Sequence, residues 1–156
     1  MTSKNLNWKN RKTVYKPRPF LLQPACKEAL WGGQKLKEHF GKQADLDNIA
    51  ESWECSTHPE GPSTVTTGEH KGMLLTEVCK IPEYLGTHPR SKGELPILVK
   101  FIDARQKLSV QVHPDDEYAK LMSVDNWAKQ KCGMCWKQIK TLNLFTVFTV
   151  IWTVLL

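Results

Sequence analysis

Gln111 and His113 stand two positions apart in the stretch LSVQVHPDDE, residues 108–117. On an extended strand, side chains at i and i+2 leave the same face. An amide oxygen and an imidazole nitrogen on one face can reach one metal ion together. Two ligands do not hold a metal, and glutamine is an unusual partner for zinc, where His, Cys and carboxylates dominate. A lone histidine at a strand end is otherwise hydrogen-bonded structure, so the pair needs partners from elsewhere. His58, His70 and His88 each adjoin proline, glycine or an acid in apparent loops, where a solvated imidazole is the simpler reading.

Two further candidates carry chemistry. Lys100 interrupts the apolar run ILVKFI. A buried, unpaired ammonium is costly, so Lys100 either snorkels at a sheet edge or faces a cavity that takes an anion such as a sugar phosphate. Cys132 and Cys135 form a C-x-x-C. With no second cysteine pair and no βαβ pattern around it, this spacing reads as incidental.

The elements that would position these residues are short. FLLQPACKEALWGGQKLKEHFG begins apolar, turns at Trp31-Gly32-Gly33, and allows a helical turn or two closed by Gly41. AESWECSTHPEGPSTVTTG reads as a strand, a tight loop at His58-Pro59 and Gly61-Pro62, and a second strand. GMLLTEVCKIPEYLG has helical spacing interrupted by Pro82. ELPILVKFIDA is a buried β run, and QKLSVQVHPDDEYAKLM a further strand followed by a short helix. Asp115, Asp116 and Glu117 fall in that helix's first turn, where negative charge is favoured. The pattern predicts a mainly β protein, a sandwich or jelly roll with short helical insertions, over a parallel α/β sheet.

Charge divides the chain. At 156 residues it has the length of one domain, and its net charge is +6. Residues 1–19 carry six Lys or Arg and residues 129–156 carry four Lys, with no acid in either stretch. All sixteen acids lie in 20–128 against twelve bases there, so the body is net −4. An acidic body without a reading motif argues against a nucleic-acid partner. Residues 1–19 read as a basic disordered arm. The last sixteen residues, TLNLFTVFTVIWTVLL, are apolar and β-branched. They fall short of the roughly 20 that a membrane-spanning helix needs, so a membrane tether is the lesser reading. Five cysteines without a dense framework, and a basic start with no apolar stretch after it, fit a cytoplasmic protein with reduced thiols.

Taken in order, WGG, ESWECSTHPEGPSTV and LPILVKFIDARQKLSVQVHPDDEYA resemble the type I mannose-6-phosphate isomerases, particularly the short bacterial form. The resemblance runs from about Phe20 to Lys129. It implies a cupin-type jelly roll, present here in part, and one bound zinc. It implies that Gln111 and His113 are metal ligands, and that Lys100, Ser109 and Trp31 line or border a sugar-phosphate pocket. The implied reaction moves a carbonyl between C1 and C2 of a sugar 6-phosphate through a cis-enediol, with zinc acting as Lewis acid.

The departure from the family begins near Lys129. A glutamate ligand is implied eighteen residues after His113, in a stretch resembling K-T-E-x-W-Y, but the chain has Lys131 there and no histidine beyond His113. The genetic code permits a specific cause. If one base were lost near Lys129, each original codon would combine the last base of one present codon with the first two of the next. Met134 into Cys135 must then give Val, Cys135 into Trp136 Leu, and Trp136 into Lys137 Glu. Gln130 into Lys131 gives Glu or Lys, and the whole stretch can read K-T-E-M-W-Y-V-L-E. On this reading 20–128 is the N-terminal part of an isomerase domain and 129–156 is an out-of-frame tail. The expectation is then an inactive fragment with little zinc. A non-catalytic sugar-phosphate-binding module is the alternative.

Overall fold

The computed structural model describes residues 17–85, 95–109, 121, 129–139 and 144–153. Among the described residues, the regular secondary structure is mostly strand. A small antiparallel sheet pairs β1 (Leu22–Gln23) with β4 (Thr64–Val65). A five-stranded antiparallel sheet has the order β2-β3-β5-β7-β6, from β2 (Ala25–Lys27), β3 (Glu51–Cys55), β5 (Ile97–Asp103), β7 (Leu144–Thr153) and β6 (Lys129–Ile139). Among the described residues, single-turn helices interrupt the strands: α1 (Lys35–Glu38), α2 (Leu75–Val78) and α3 (Pro82–Leu85). The strand at 51–55, the loop through Gly61-Pro62, the second strand and the buried run at 97–103 all fall where the apolar patterning places them. Pro82 opens α3, where a missing N–H costs nothing.

Register explains which side chains share a face. Ala25 faces Trp53, which faces Lys100, and Glu51 faces both Lys27 and Ile102. Because strand side chains alternate, Lys27, Glu51, Trp53, Lys100 and Ile102 stand on one side of the large sheet. Ser52, Phe101 and Asp103 stand on the other. The second side is covered by α1 and the loop after it. Leu36 of α1, Ile49 and Ala50 are fully buried there, and Phe40 lies against Phe101 with ring centroids 5.5 Å apart.

Asp103 fixes that cover. Its carboxylate is 1% exposed. Its Oδ2 accepts the backbone N–H of Lys35 at 2.7 Å, and Lys35 Nζ lies 4.0 Å from Oδ1. The N–H of Gly33 donates to the Asp103 carbonyl at 3.0 Å, and the Asp103 N–H to Ala50 at 2.9 Å. Gly32 bridges Ala104, and Arg105 donates its N–H to the Trp31 carbonyl at 2.8 Å. The W-G-G segment therefore runs beside the end of β5 as a strap. A Cβ on Gly33 would lie 2.3 Å from Asp103 Oδ2, so only glycine lets the strap and the carboxylate meet. Gly41 closes the α1 region at φ 62°, as its type allows.

The buried Ser56 and Ser63 are hydrogen-bonded to each other. Ser63 Oγ accepts the N–H of Ser56 at 3.0 Å, and the Ser63 N–H donates to the Ser56 carbonyl at 2.9 Å. The Ser63 carbonyl takes the N–H of Leu75 at 2.8 Å and so seats α2, whose Leu75 and Val78 are buried. The Glu77 carboxylate caps the Leu74 N–H at 3.2 Å.

The stretch that composition sets apart contributes two paired antiparallel strands, β6 and β7. Its strand β7 pairs with β5 from Ile97–Trp152 to Asp103–Thr146, and β6 pairs with β7 through a register shift between Cys135 and Lys137. No helix among the described residues is long and apolar enough to cross a membrane.

The Gly33–Asp103 contact makes a direct prediction. Gly33→Ala should destabilise the fold by about 2 kcal/mol, the cost typical of overpacking a closed site. Urea unfolding of the two proteins side by side measures the difference.

Candidate functional site

Lys100 lies in the middle of β5, which is flanked by β3 and β7, so it does not snorkel at a sheet edge. The residue is 8% exposed. Its charge is met by one acid: Lys100 Nζ donates to Glu51 Oε1 at 2.8 Å. The other carboxylate oxygen, Oε2, accepts the indole N–H of Trp53 at 2.6 Å. Glu51 is thus held at both ends, and Lys100 Nζ also sits 5.9 Å from the centroid of the Trp53 ring. A buried indole N–H and a buried ammonium both require acceptors, and one carboxylate supplies them.

Trp53 is the hub of this side of the sheet. Lys27 Nζ lies 5.0 Å from its centroid and donates to the carbonyl of Glu60. The His58 ring meets Trp53 edge-on at 5.4 Å. Gly61 closes the loop against the indole, since a Cβ there would come within 3.0 Å of Trp53 Cε3. The HPEGP turn therefore exists in this form because the tryptophan occupies the space beneath it. On the opposite side of the sheet a second ion pair, Lys42 with Glu54 at 2.8 Å, is joined by Ser52 Oγ at 2.6 Å from Glu54 Oε1.

The residues singled out from sequence separate into two groups. Lys100 is buried in the cluster just described. Trp31 is half-buried in the strap, its carbonyl engaged by Arg105. Ser109 is exposed on the segment that leaves β5. Gln111 and His113, the expected metal ligands, lie outside the described residues. Among the described residues no group of three or more His, Cys, Asp or Glu side chains could hold a metal ion, so the described part offers zinc no ligand set. Sequence reasoning missed Glu51 and Trp53. Their spacing, two positions apart on a strand like Gln111 and His113, was visible, but their link to Lys100 depends on which strands pair.

Cysteines in the described core are not poised as ligands. Cys26, Cys55 and Cys79 are free thiols. Burial pushes the Cys79 thiol up to about 11, with Cys55 nearby adding to the shift, and burial raises Cys55 as well. A thiol must lose its proton to bind metal or attack, and these two resist that.

Comparisons with known proteins place this geometry. The family description "Phosphomannose isomerase type I, catalytic domain" matches residues 20–133. The chain is 44% identical over 115 residues to "Probable mannose-6-phosphate isomerase GmuF" of Bacillus subtilis, covering 73% of this chain and 36% of that protein. It is 39% identical over 102 residues to the mannose-6-phosphate isomerase of Streptococcus mutans, covering 65% and 32%. The chain thus spans about a third of the length of the curated relatives it matches. In fold it matches the crystal structure of the mannose 6-phosphate isomerase from Bacillus subtilis with a TM-score of 0.71 at 24% identity, over 86% of this chain and 58% of that one. The mainly β fold with short helices is that of an incomplete cupin-type jelly roll.

Two measurements check the electrostatics. Glu51→Ala leaves Lys100 without its partner and should cost about 2 kcal/mol, below the usual penalty for a fully buried pair because both side chains keep some exposure. Adding Lys100→Met should recover most of that loss in the double variant. For Cys79, the folded state holds the proton to higher pH than the unfolded chain does. Its contribution to stability is therefore complete below about pH 9 and declines as pH rises toward 11. The urea midpoint should fall across that window less steeply in Cys79→Ala than in the parent.

Proposed function

The chain belongs to the type I phosphomannose isomerase family, and from that premise we propose that it presents the sugar-phosphate-binding sheet of a mannose-6-phosphate isomerase without the isomerase turnover. The observation that carries this reading is the match to the family's catalytic domain across residues 20–133. The buried, paired lysine at position 100, on the strand leading toward Gln111 and His113, is consistent with it. Lys100, Trp31 and Ser109 are the candidate substrate contacts, and Gln111 and His113 the candidate zinc ligands. Isomerisation of an aldose to a ketose needs a base for the C2 proton and a stabiliser for the oxygen charge that develops on the enediol. Lys131 stands where the family resemblance implies a carboxylate ligand, and a zinc site that lacks one of its ligands holds the metal weakly.

We further propose that residues 129–156 are read out of frame relative to the family. The absence of acids there and the shifted reading K-T-E-M-W-Y support this. A strand-rich, β-branched sequence can form a hairpin beside β5 through backbone hydrogen bonds alone, whatever its ancestry. Determining the DNA sequence around the Lys129 codon decides the matter. A family-like frame continuing downstream is the expected result, and a downstream sequence with no such frame removes the proposal.

Calorimetric titration tests the function. Mannose 6-phosphate should bind the purified full chain and remain unconverted, and metal analysis should find zinc well below one per chain. Appreciable conversion to fructose 6-phosphate would refute the inactive reading. A lack of any binding would remove the sugar-phosphate reading itself.

A further inference from the structure

The free valences around Lys100 distinguish one end of a sugar phosphate from the other. An ammonium has three N–H donors and no acceptor, and an ionised carboxylate is acceptor only. One Lys100 donor goes to Glu51 Oε1, while the indole of Trp53 occupies Oε2. This leaves donors on Lys100 beside a carboxylate that still has lone pairs to offer. A sugar hydroxyl can accept from the first and donate to the second, and so uses both. A phosphate dianion can only accept. At Lys100 it would face the negative charge of Glu51 in a site that is mostly out of water, where like charges repel more strongly than in solution. On β2, Lys27 is committed to the carbonyl of Glu60, in the turn after β3. His58 turns toward Trp53, and its Nδ1 accepts the Glu60 N–H at 3.2 Å.

We propose that Glu51 is a specificity-determining residue: it neutralises Lys100, denies that lysine to the phosphate group, and makes the Lys100–Glu51 pair a reader of hydroxyl or carbonyl oxygen at the sugar end. Trp53 is a positioning residue that fixes the carboxylate in the orientation both roles need. The inference rests on the sugar-phosphate reading above but alters the part Lys100 plays in it, since an unpaired lysine would be the natural phosphate anchor.

The two halves of the ligand separate the possibilities. The readout is the NMR signal of the Trp53 indole N–H, assigned with Trp53→Phe, in the full chain. D-mannose should move that signal and inorganic phosphate at the same concentration should not. Glu51→Gln keeps an oxygen for Lys100 but removes the charge. This variant should gain at least tenfold in apparent affinity for inorganic phosphate, and Glu51→Gln with Lys100→Met should lose that gain. A phosphate response in the unmodified chain, or no mannose response there, overturns the proposal; both are read without any variant. A folded Glu51→Gln protein with no gain for phosphate overturns it as well. If intact mannose 6-phosphate does not bind while D-mannose still moves the Trp53 signal and Glu51→Gln gains phosphate affinity through Lys100, the sugar-phosphate function fails while the gating role of Glu51 stands.

Discussion

A positive charge in the middle of a sheet constrains everything around it. Lys100 occupies a central position of β5, with strands on both sides and little water. An ammonium in that setting must be paired or neutralised, because the desolvation cost of leaving it alone exceeds what a single core contact returns. Glu51 answers it from β3, and the register that brings Trp53 opposite Lys100 also puts Glu51 within reach on the diagonal. The indole N–H then takes the second carboxylate oxygen. From that triad the neighbouring structure follows. The tryptophan needs a glycine above it, which sets the HPEGP turn. The turn carries Ser63 back beneath β3, and Ser63 seats α2.

The reverse side of the same sheet is organised by a second buried acid. Asp103 ends β5, binds the first turn of α1 and meets Gly33 so closely that no side chain fits between them. The strap that carries Trp31 is fixed to the strand end from which the chain departs toward Ser109. One strand therefore bears Lys100 on one face and Asp103 on the other. Their opposite charges are kept apart by the alternation of the pleat, and each has its own partner. A shift of one residue in the β3–β5 register would break both arrangements at once, which gives this sheet a strong preference for a single alignment.

Much of this was legible in the sequence. The apolar run around Lys100, the Gly-Pro turn after ESWEC and the helical spacing broken by Pro82 each led to an element at the expected place. Periodicity of two or of 3.6 survives in short segments when one face is buried. Lys100 was recognisable as a residue requiring an explanation, but the explanation was not. A salt bridge between positions 49 apart in the chain depends on which strands become neighbours, and local pattern carries no information about that. The same limit hid the Gly33–Asp103 contact. The pairing of β7 with β5 was equally invisible, because an apolar, threonine-rich segment suits a strand without saying which strand it joins. For Gln111 and His113 the sequence remains the source of the assignment, since they lie outside the described residues.

The account places sugar recognition at a charge-neutral pair on a family sheet. A crystal structure of the full chain with mannose 6-phosphate bound tests this most directly. The account predicts a hydroxyl or carbonyl oxygen of the sugar within hydrogen-bond distance of both Lys100 Nζ and the Glu51 carboxylate, with the phosphate directed elsewhere. A phosphate group seated on Lys100 with Glu51 swung aside would contradict it.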